Sequence, residues 1–247
     1  MIGMSSMAND WKNIYKDKVV FVSGHTGFKG SWLSVWLTEL GAKVIGYSNG
    51  YPGNPCLFEA INLQDKMTSV IADVRDNERL NAAFERYQPA FVFHLAAQPL
   101  VRLSYQEPRL TYETNVMGTV NILEAVRVTR SVRACVVVTS DKCYDNKEWI
   151  YPYREIDPLG GHDPYSSSKA CAELVVEAYR KSFFHSDERS EEFSCAENSA
   201  AAHPVILSSV RAGNVIGGGD WGEGRLLPDC VRFLSAGKPI VIRHCAL

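Results

Sequence analysis

The sequence predicts an α/β protein built on a doubly wound parallel sheet. Short apolar runs alternate with helical patterns along the 247 residues, as they do in chains made of strand, helix, strand units. A glycine loop also joins the first apolar run directly to the first helical pattern, which is a typical start of such a sheet. Together these two features indicate one parallel sheet as the framework of the chain.

The elements of this framework can be assigned in order. Residues 18–23 form an apolar run, as expected of a strand buried on both faces. Residues 31–40 carry an apolar stripe at helical spacing and stop at Gly41, a common residue after a helix end. Further strands are predicted at residues 43–47, 68–72, 90–95, 134–140 and 205–210, and helices at 77–87, 108–128 and 163–184.

Two segments depart from this alternation. Residues 185–204 are polar and aperiodic, which predicts an inserted, mobile surface loop. Residues 239–243 have the apolar pattern of one more strand. We therefore divide the chain into a main sheet domain at 1–184, an insertion at 185–204, and a region at 205–247 that begins with the last core strand.

Composition narrows the function classes. A hydrophobic content of 46% supports a full core, and the net charge of −2 comes without a dense stripe of lysine and arginine, which argues against a nucleic-acid partner. The polar start of the chain and its lack of a long apolar run predict no membrane segment and a cytoplasmic location. The seven cysteines include no Cys-x-x-Cys pair, so we expect reduced thiols and no metal site.

The loop after the first strand has the spacing Gly-x-x-Gly-x-x-Gly. Glycines at this position let backbone amides approach a pyrophosphate and aim a helix N-terminus at it. A plain turn is the alternative, but the placement between a buried strand and a helix favours dinucleotide binding, and the spacing is typical of short-chain dehydrogenases/reductases. The predicted cofactor-binding residues here are Gly24, Thr26, Gly27, Phe28, Lys29 and Gly30.

The residues after the second strand do not identify the cofactor. Residues 47–52 contain neither the acid that usually binds the ribose of NAD nor an arginine for NADP, and Asn49 is either a ribose contact or a turn residue. Asp73, followed by Val74 after the third strand, resembles the adenine-contacting Asp of extended short-chain dehydrogenases. A solvated helix cap is the alternative for Asp73.

Small residues follow the fourth strand and allow a flat cofactor to lie across the sheet edge. We assign Leu95, Ala96 and Ala97 to this role, whereas His94 is interpreted as a packed strand histidine rather than a catalytic one. Asn115, in an apolar helical setting, resembles the asparagine that supports the active-site lysine of these enzymes. An exposed polar position is its alternative.

Two polar clusters carry the predicted chemistry. Tyr165 and Lys169 are four residues apart and therefore share a face of a helix. At ~4 Å and an effective dielectric of ~20, the ammonium would stabilise the phenolate by roughly 4 kcal/mol and lower its pKa by up to about three units. Ser140, Asp141 and Lys142 end the fifth strand, at the sheet edge where ligands bind, and can supply an acid and a base.

Long motifs around these residues resemble the CDP-glucose 4,6-dehydratases, a family of extended short-chain dehydrogenases. The similar runs are residues 24–32, 96–105, 139–145 and 211–221. Related dTDP-glucose dehydratases carry Asp-Glu where this chain has Asp141-Lys142. The resemblance implies a Rossmann-like fold, NAD as the cofactor, CDP-glucose as the substrate and a homo-oligomer. It further implies that residues 205–247 begin a smaller substrate-binding part that is incomplete here.

The resemblance also implies residue roles. Tyr165, with Lys169 and Ser140, would act on the C4 hydroxyl of the sugar, and Asp141 and Lys142 would be the acid and the base of water loss. The implied substrate-binding residues are Gln98, Arg102, Arg211, Asn214 and Arg225, with a structural ion pair as the alternative for Arg211. A nucleotide-sugar 4-epimerase, another 4,6-dehydratase, and a shortened chain that binds NAD without turnover are the alternative functions.

Overall fold

A six-stranded parallel sheet forms the centre of the computed structural model, which describes residues 13–184 and 204–241. Its spatial order is β3-β2-β1-β4-β5-β6, and all neighbouring strands are parallel. This confirms the predicted fold class. The strands are β1 (Val19–Ser23), β2 (Lys43–Ser48), β3 (Thr68–Ile71), β4 (Phe91–His94), β5 (Ala134–Val138) and β6 (Ile206–Val210).

Helices connect the strands and cover the sheet. The two best-defined helix starts have aspartate caps: Asp76 accepts a hydrogen bond from Arg79 N (3.1 Å), and Asp163 accepts one from Ser166 N (3.0 Å). The helices are α1 (Phe28–Glu39), α2 (Leu57–Ala60), α3 (Asn77–Tyr87), α4 (Val101–Gln106), α5 (Pro108–Tyr112), α6 (Gly118–Val128), α7 (Pro164–Phe183) and α8 (Leu226–Ser235), with 3₁₀ turns at Leu63–Asp65 and Asp141–Cys143.

The helix predicted at 108–128 has an irregular middle. One π-helical turn, Glu113–Met117, separates α5 from α6. Asn115 in this turn is 2% exposed, and its amide bonds to the backbone of Gln98 on a neighbouring segment. π turns inside α-helices are rare and are frequently found at functional sites, and apolar periodicity does not reveal them.

The core has one layer on each face of the sheet. Side chains alternate along β1, so Phe21 lies in one layer while Val20 and Val22 lie in the other. The larger layer packs β-strand residues against α3, α6 and α7, and includes Leu80, Phe84, Ile122, Leu123, Val126 and Val176. Burial on both faces explains why the strands are continuous apolar runs.

Two predictions concern the segments outside this framework. The insertion predicted at 185–204 lies outside the described residues except for Pro204. Of the strand predicted at 239–243, only 239–241 are described, and they are not in a strand. Ile240 and Val241 are instead exposed by 39% and 62%, since apolar content alone does not supply a neighbouring strand to pair with. The predicted domain boundaries stay predictions.

The described ranges, 13–184 and 204–241, contain no helix with the length and apolar character needed to cross a membrane. Within the same ranges, Cys56, Cys135, Cys143, Cys171 and Cys230 are free thiols, and no group of three or more potential metal ligands occurs.

A matched pair of substitutions in α6 tests the position of the core. Val126 is fully buried and Val128 is 62% exposed. We expect Val126→Ala to lower the free energy of unfolding by about 2 kcal/mol, because it removes two buried methyl groups and leaves a cavity. Val128→Ala should change it by less than about 0.5 kcal/mol. Urea denaturation measures both, and equal effects would contradict the packing described here.

Candidate active site

The glycine loop lies where the order of the sheet reverses, between the ends of β1 and β4. Gly24 has a φ of +75°, and a Cβ there would lie 2.8 Å from Ala96 N. A Cβ on Gly30 would overlap the Gly24 carbonyl oxygen. Side chains at these two positions would therefore separate the loop from the chain after β4 or distort it. The reversal point of an open α/β sheet is also where nucleotides bind.

The start of α1 fits a negatively charged group. No side chain caps its N-terminus at Gly27, so the amides of the first turn lack the side-chain acceptors that often satisfy such groups. Free amides and the helix dipole together favour an anion such as a pyrophosphate. The close-packed glycines and the uncapped helix thus fit a dinucleotide in the loop that was predicted to bind it.

Ser23 organises the neighbouring edge of the sheet. Its Oγ accepts hydrogen bonds from the backbone amides of Leu95 (3.1 Å) and Ala96 (3.2 Å) and lies 2.7 Å from His94 Nδ1. The other nitrogen of His94 lies 3.2 Å from Thr119 Oγ1. Burial, followed by the charge of Lys169, lowers the pKa of His94 to about 3. His94 is therefore a packed, neutral strand histidine, as interpreted from the sequence.

Asn115 connects this edge to the helix that carries Tyr165 and Lys169. Its Oδ1 accepts from Gln98 N (2.7 Å), and its Nδ2 donates to Gln98 O (3.1 Å) and Ser168 Oγ (2.8 Å). The alternative of an exposed polar position is wrong, because Asn115 is buried. Asn115 thus bonds to the residue that directly precedes Lys169 on α7, and its role in supporting that lysine stays a prediction.

The two predicted chemical clusters meet. The side chains of Ser140 and Tyr165 interact. Ser140 also donates to Asp141 Oδ1 (3.0 Å) and accepts from Lys142 N (3.2 Å), which caps the 3₁₀ turn Asp141–Cys143. Asp141 and Lys142 are both exposed. A phenol, a hydroxyl, a carboxylate and an amine therefore border one region at the carboxyl end of β5.

The expected lowering of the Tyr165 pKa does not occur in this structure. Burial is the largest influence and raises the pKa above 10.0. The interaction with Ser140 lowers it, the charge of Asp141 raises it, and the charge of Arg225 lowers it. The predicted lowering is wrong because desolvation of the phenol, which depends on the surrounding fold, has the largest effect on its pKa.

Lys169 has a buried ammonium near other positive charges. Burial and then the charge of Lys29 lower its pKa to about 8, against the opposing influence of Glu173 and Cys143. Lys29 is an exposed residue. Its pKa is nevertheless lowered as well, first by partial burial of its ammonium and then by the charge of Arg225. Lys29, Lys169 and Arg225 thus converge and favour a negatively charged ligand.

Asp73 lies at the end of β3 with its carboxylate held by Arg75, 3.1 Å from Nε and 2.8 Å from Nη2. Asn49 also bonds to this carboxylate. The alternative of a helix cap is wrong, since Asp76 caps α3. Val74 is buried, and its carbonyl accepts from Asn121 Nδ2 (2.9 Å).

The structure brings together only part of the predicted substrate-binding set. Arg211 forms the structural ion pair that was its alternative: its Nη2 is 3.0 Å from Glu173 Oε2. The Gln98 amide donates to Thr111 Oγ1 (2.9 Å) and Leu100 O (3.1 Å), so it is occupied within its own loop.

The other three predicted residues retain access to solvent. Arg225 pairs with Asp220 at 2.8 Å, and its charge reaches Tyr165 and Lys29. Arg102 and Asn214 are exposed. Of the predicted substrate-binding residues, Arg225 is therefore the one whose charge acts on Tyr165.

Three residues of the site were missed from the sequence. Ser23 and Ser168 position backbone and amide groups, and their small side chains gave no signal. Glu173 did carry one, since it is four residues after Lys169 and therefore on the same face of the helix.

Comparisons with known proteins agree with this geometry. A family model described as GDP-mannose 4,6 dehydratase matches residues 21–186. A CDP-glucose 4,6-dehydratase of Salmonella typhimurium is 54% identical over 94% of this chain, which spans 62% of that relative's length.

Two solved structures share the fold. The dTDP-glucose 4,6-dehydratase of Bacillus anthracis in complex with NAD is 26% identical, with a TM-score of 0.70 over 90% of this chain and 63% of its own. The UDP-glucose 4-epimerase of Brucella ovis in complex with NAD is 29% identical, with a TM-score of 0.59 over 66% of this chain and 48% of its own.

The neutral His94 makes stability depend on pH. The pKa of His94 is about 3 in the folded chain, against 6.5 for an unperturbed histidine. Between these two values the unfolded chain binds more protons than the folded chain, so the free energy of unfolding falls as the pH drops below 6.5. Between about pH 7 and about pH 5, the free energy of unfolding should fall by about 2 kcal/mol less in His94→Gln than in wild type. Urea denaturation at several pH values measures this. His162→Gln, at a side chain 83% exposed, is the control, and an unchanged pH dependence in His94→Gln would contradict the assignment.

Proposed function

Because the chain belongs to the GDP-mannose 4,6 dehydratase family, we propose that it is an NAD-dependent sugar-nucleotide 4,6-dehydratase that converts CDP-glucose to CDP-4-keto-6-deoxyglucose. The observation that carries this proposal is the side-chain interaction between Ser140 and Tyr165. Tyr165 and Lys169 form a pair suited to oxidation at a hydroxyl carbon. The interaction connects this pair to the turn that carries the acid Asp141 and the amine Lys142. Water loss needs both functions in one site.

The cofactor site is proposed along the reversal point of the sheet. Gly24 to Gly30 and the uncapped α1 would hold the pyrophosphate, Asp73 and Val74 would border the adenosine, and Leu95 to Ala97 would lie under the ring system. NAD, when bound, would accept the C4 hydride and return it at C6. Asn115 would support Lys169 beside it.

Tyr165 is the proposed base for the C4 hydroxyl proton, and Ser140 would turn its hydroxyl hydrogen from Asp141 Oδ1 to the same oxygen. Burial raises the pKa of Tyr165, so its phenolate needs positive charge close by. Lys169, whose pKa of about 8 keeps it mostly protonated at neutral pH, would supply part of that charge. The resulting 4-ketone acidifies the proton at C5.

Asp141 and Lys142 are the proposed acid and base of the elimination. Asp141 would protonate the departing C6 hydroxyl, and Lys142 would remove the C5 proton or assist its removal. The position of Asp141 is supported by its backbone amide, which donates to Ala212 O (3.0 Å), and by Ser140 Oγ. These two hydrogen bonds fix the turn, while the carboxylate of Asp141 and the amine of Lys142 stay accessible to a sugar.

CDP-glucose is proposed as the substrate on the strength of the 54% identical relative and of Asp141-Lys142. Arg225, Arg102 and Asn214 are the proposed contacts to its phosphates and sugar, with Arg suited to bidentate phosphate binding. Gln98 and Arg211 are proposed to support this site rather than touch the substrate. The homo-oligomer and the cytoplasmic location stay predictions.

Isotope transfer tests the proposed reaction. With CDP-glucose carrying deuterium at C4, we expect the label at C6 of a 4-keto-6-deoxy product, measured by NMR and mass spectrometry. A label that stays at C4 of an epimerised sugar would instead identify a 4-epimerase. If NAD binds by calorimetry but no product forms, the chain is a cofactor-binding protein and the proposal fails.

Replacement of the proposed base tests its role. Tyr165→Phe should lower kcat by about 10²- to 10⁴-fold with little change in KM, because it removes the proton acceptor and leaves the ring. Tyr153→Phe serves as the control: its hydroxyl donates to Asn146 Oδ1 (3.0 Å) in an exposed loop, and its kcat should stay within about 2-fold of wild type. Equal kcat values for the two variants would contradict the assignment.

A further inference from the structure

Glu173 joins α7 to the ends of two strands. Its side chain is 4% exposed. Oε1 accepts a hydrogen bond from Thr139 Oγ1, and Oε2 accepts from Ser209 Oγ (2.8 Å) and Arg211 Nη2 (3.0 Å). Thr139 directly follows β5, Ser209 is within β6 and Arg211 directly follows it. A single buried carboxylate thus fixes one face of α7 to the carboxyl ends of β5 and β6.

The same carboxylate lies between the two halves of the candidate active site. Glu173 comes one turn after Lys169 and two turns after Tyr165 on α7, so the three side chains share a face. Its partner Thr139 immediately precedes Ser140, whose side chain interacts with Tyr165. A change in the reach of Glu173 therefore moves the Ser140 turn relative to the phenol.

We propose that Glu173 is a positioning residue of this site: its carboxylate holds the Ser140 turn against the Tyr165 face of α7, and its negative charge compensates the positive charge of Lys169, one turn earlier on the same face of the helix. The kinetic consequence rests on the proposed dehydratase function. The effect on the charge of Lys169 does not, because it requires only the folded chain.

The charges around Lys169 support the second half of the proposal. The groups that interact with its charge are Lys29 from α1, His94 from β4, Cys143 from the 3₁₀ turn, and Glu173 from α7. Burial and Lys29 lower its pKa, whereas Glu173 and Cys143 raise it. Burial raises the pKa of Cys143 to about 11, so this thiol is neutral at physiological pH and Glu173 is left as the ionised acid of the set.

Glu173 itself is ionised in the fold. Burial alone would raise its pKa, but the hydrogen bonds from Arg211, Thr139 and Ser209 outweigh burial and hold the pKa below 4.5. Arg211, which was predicted to bind substrate, thus acts as the counterion of Glu173. The carboxylate can therefore offset part of the desolvation of Lys169 across the physiological pH range.

The test uses Glu173→Gln, which keeps the size of the side chain and removes its charge. The pKa of Lys169 is measured by NMR of ¹³Cε-labelled lysine, with its signal assigned through Lys169→Arg. We expect the pKa to fall by about 1 in Glu173→Gln. Glu177→Gln is the matched control on the same helix, because its exposed carboxylate pairs with Lys181 at the surface, and it should leave the Lys169 pKa unchanged. An unchanged Lys169 pKa in folded Glu173→Gln would overturn the proposal.

Kinetics with CDP-glucose supply the second readout. In Glu173→Gln we expect kcat to fall about 10-fold with KM little changed, and the loss of activity at high pH to begin at a lower pH. Glu173→Asp keeps the charge but shortens the reach, so the Lys169 pKa should return to the wild-type value while kcat stays low. This variant also decides the matter if Glu173→Gln does not fold, since a Lys169 pKa lowered in Glu173→Asp would overturn the proposal.

The two hypotheses fail in different ways. If the wild-type chain turns over no CDP-glucose, the proposed function fails, while the Lys169 titration still tests Glu173. If wild type is active and Glu173→Gln has the same kcat and pH profile, the positioning role fails alone.

Discussion

The site depends on how closely the chain after β1 approaches the chain after β4. Gly24 leaves no room for a Cβ against Ala96 N, and Ser23 Oγ accepts the amides of Leu95 and Ala96. This contact draws the glycine loop and the small residues after β4 into one continuous backbone surface. From there Asn115 extends the same hydrogen-bonded system to Ser168 on α7, so the orientation of the tyrosine and lysine helix is coupled to the nucleotide loop.

Burial and charge act against each other across this surface. Desolvation raises the pKa of Tyr165 and lowers that of Lys169, which disfavours the charged form of both. The positive charges of Lys29 and Arg225 favour the phenolate form of Tyr165 but disfavour the ammonium form of Lys169. A negatively charged group nearby offsets this repulsion of the Lys169 ammonium. The carboxylate of Glu173 and the phosphates of a nucleotide are two such groups. The same positive cluster can therefore be balanced by a carboxylate of the protein and can also bind the phosphates of a ligand.

The framework was predictable because it rests on local patterns. Strands buried on both faces are apolar runs, and the predicted bounds of the strands agree with the structure to within two residues. The glycine loop was found because its spacing and position reflect a steric requirement. The partner of Arg211 was not found, since nothing local states which acid meets a given arginine. The pKa of Tyr165 was wrong for a similar reason, as desolvation depends on elements distant in sequence. The strand expected at 239–243 shows that an apolar run needs a neighbour as well as a composition.

The π turn at Glu113–Met117 has a consequence for variation in chain length. A π turn holds about one residue more than a regular helical turn, so deletion of one residue there would restore a regular helix and remove the bulge in which Asn115 lies. Asn115 bonds to Gln98 on one side, and its carbonyl accepts from Thr119 Oγ1 (2.7 Å) on the other. These bonds constrain the number of residues between Gln98 and Thr119 more strongly than they constrain which residues occupy those positions. Homologous chains that keep this hydrogen-bond pattern should therefore align here without gaps.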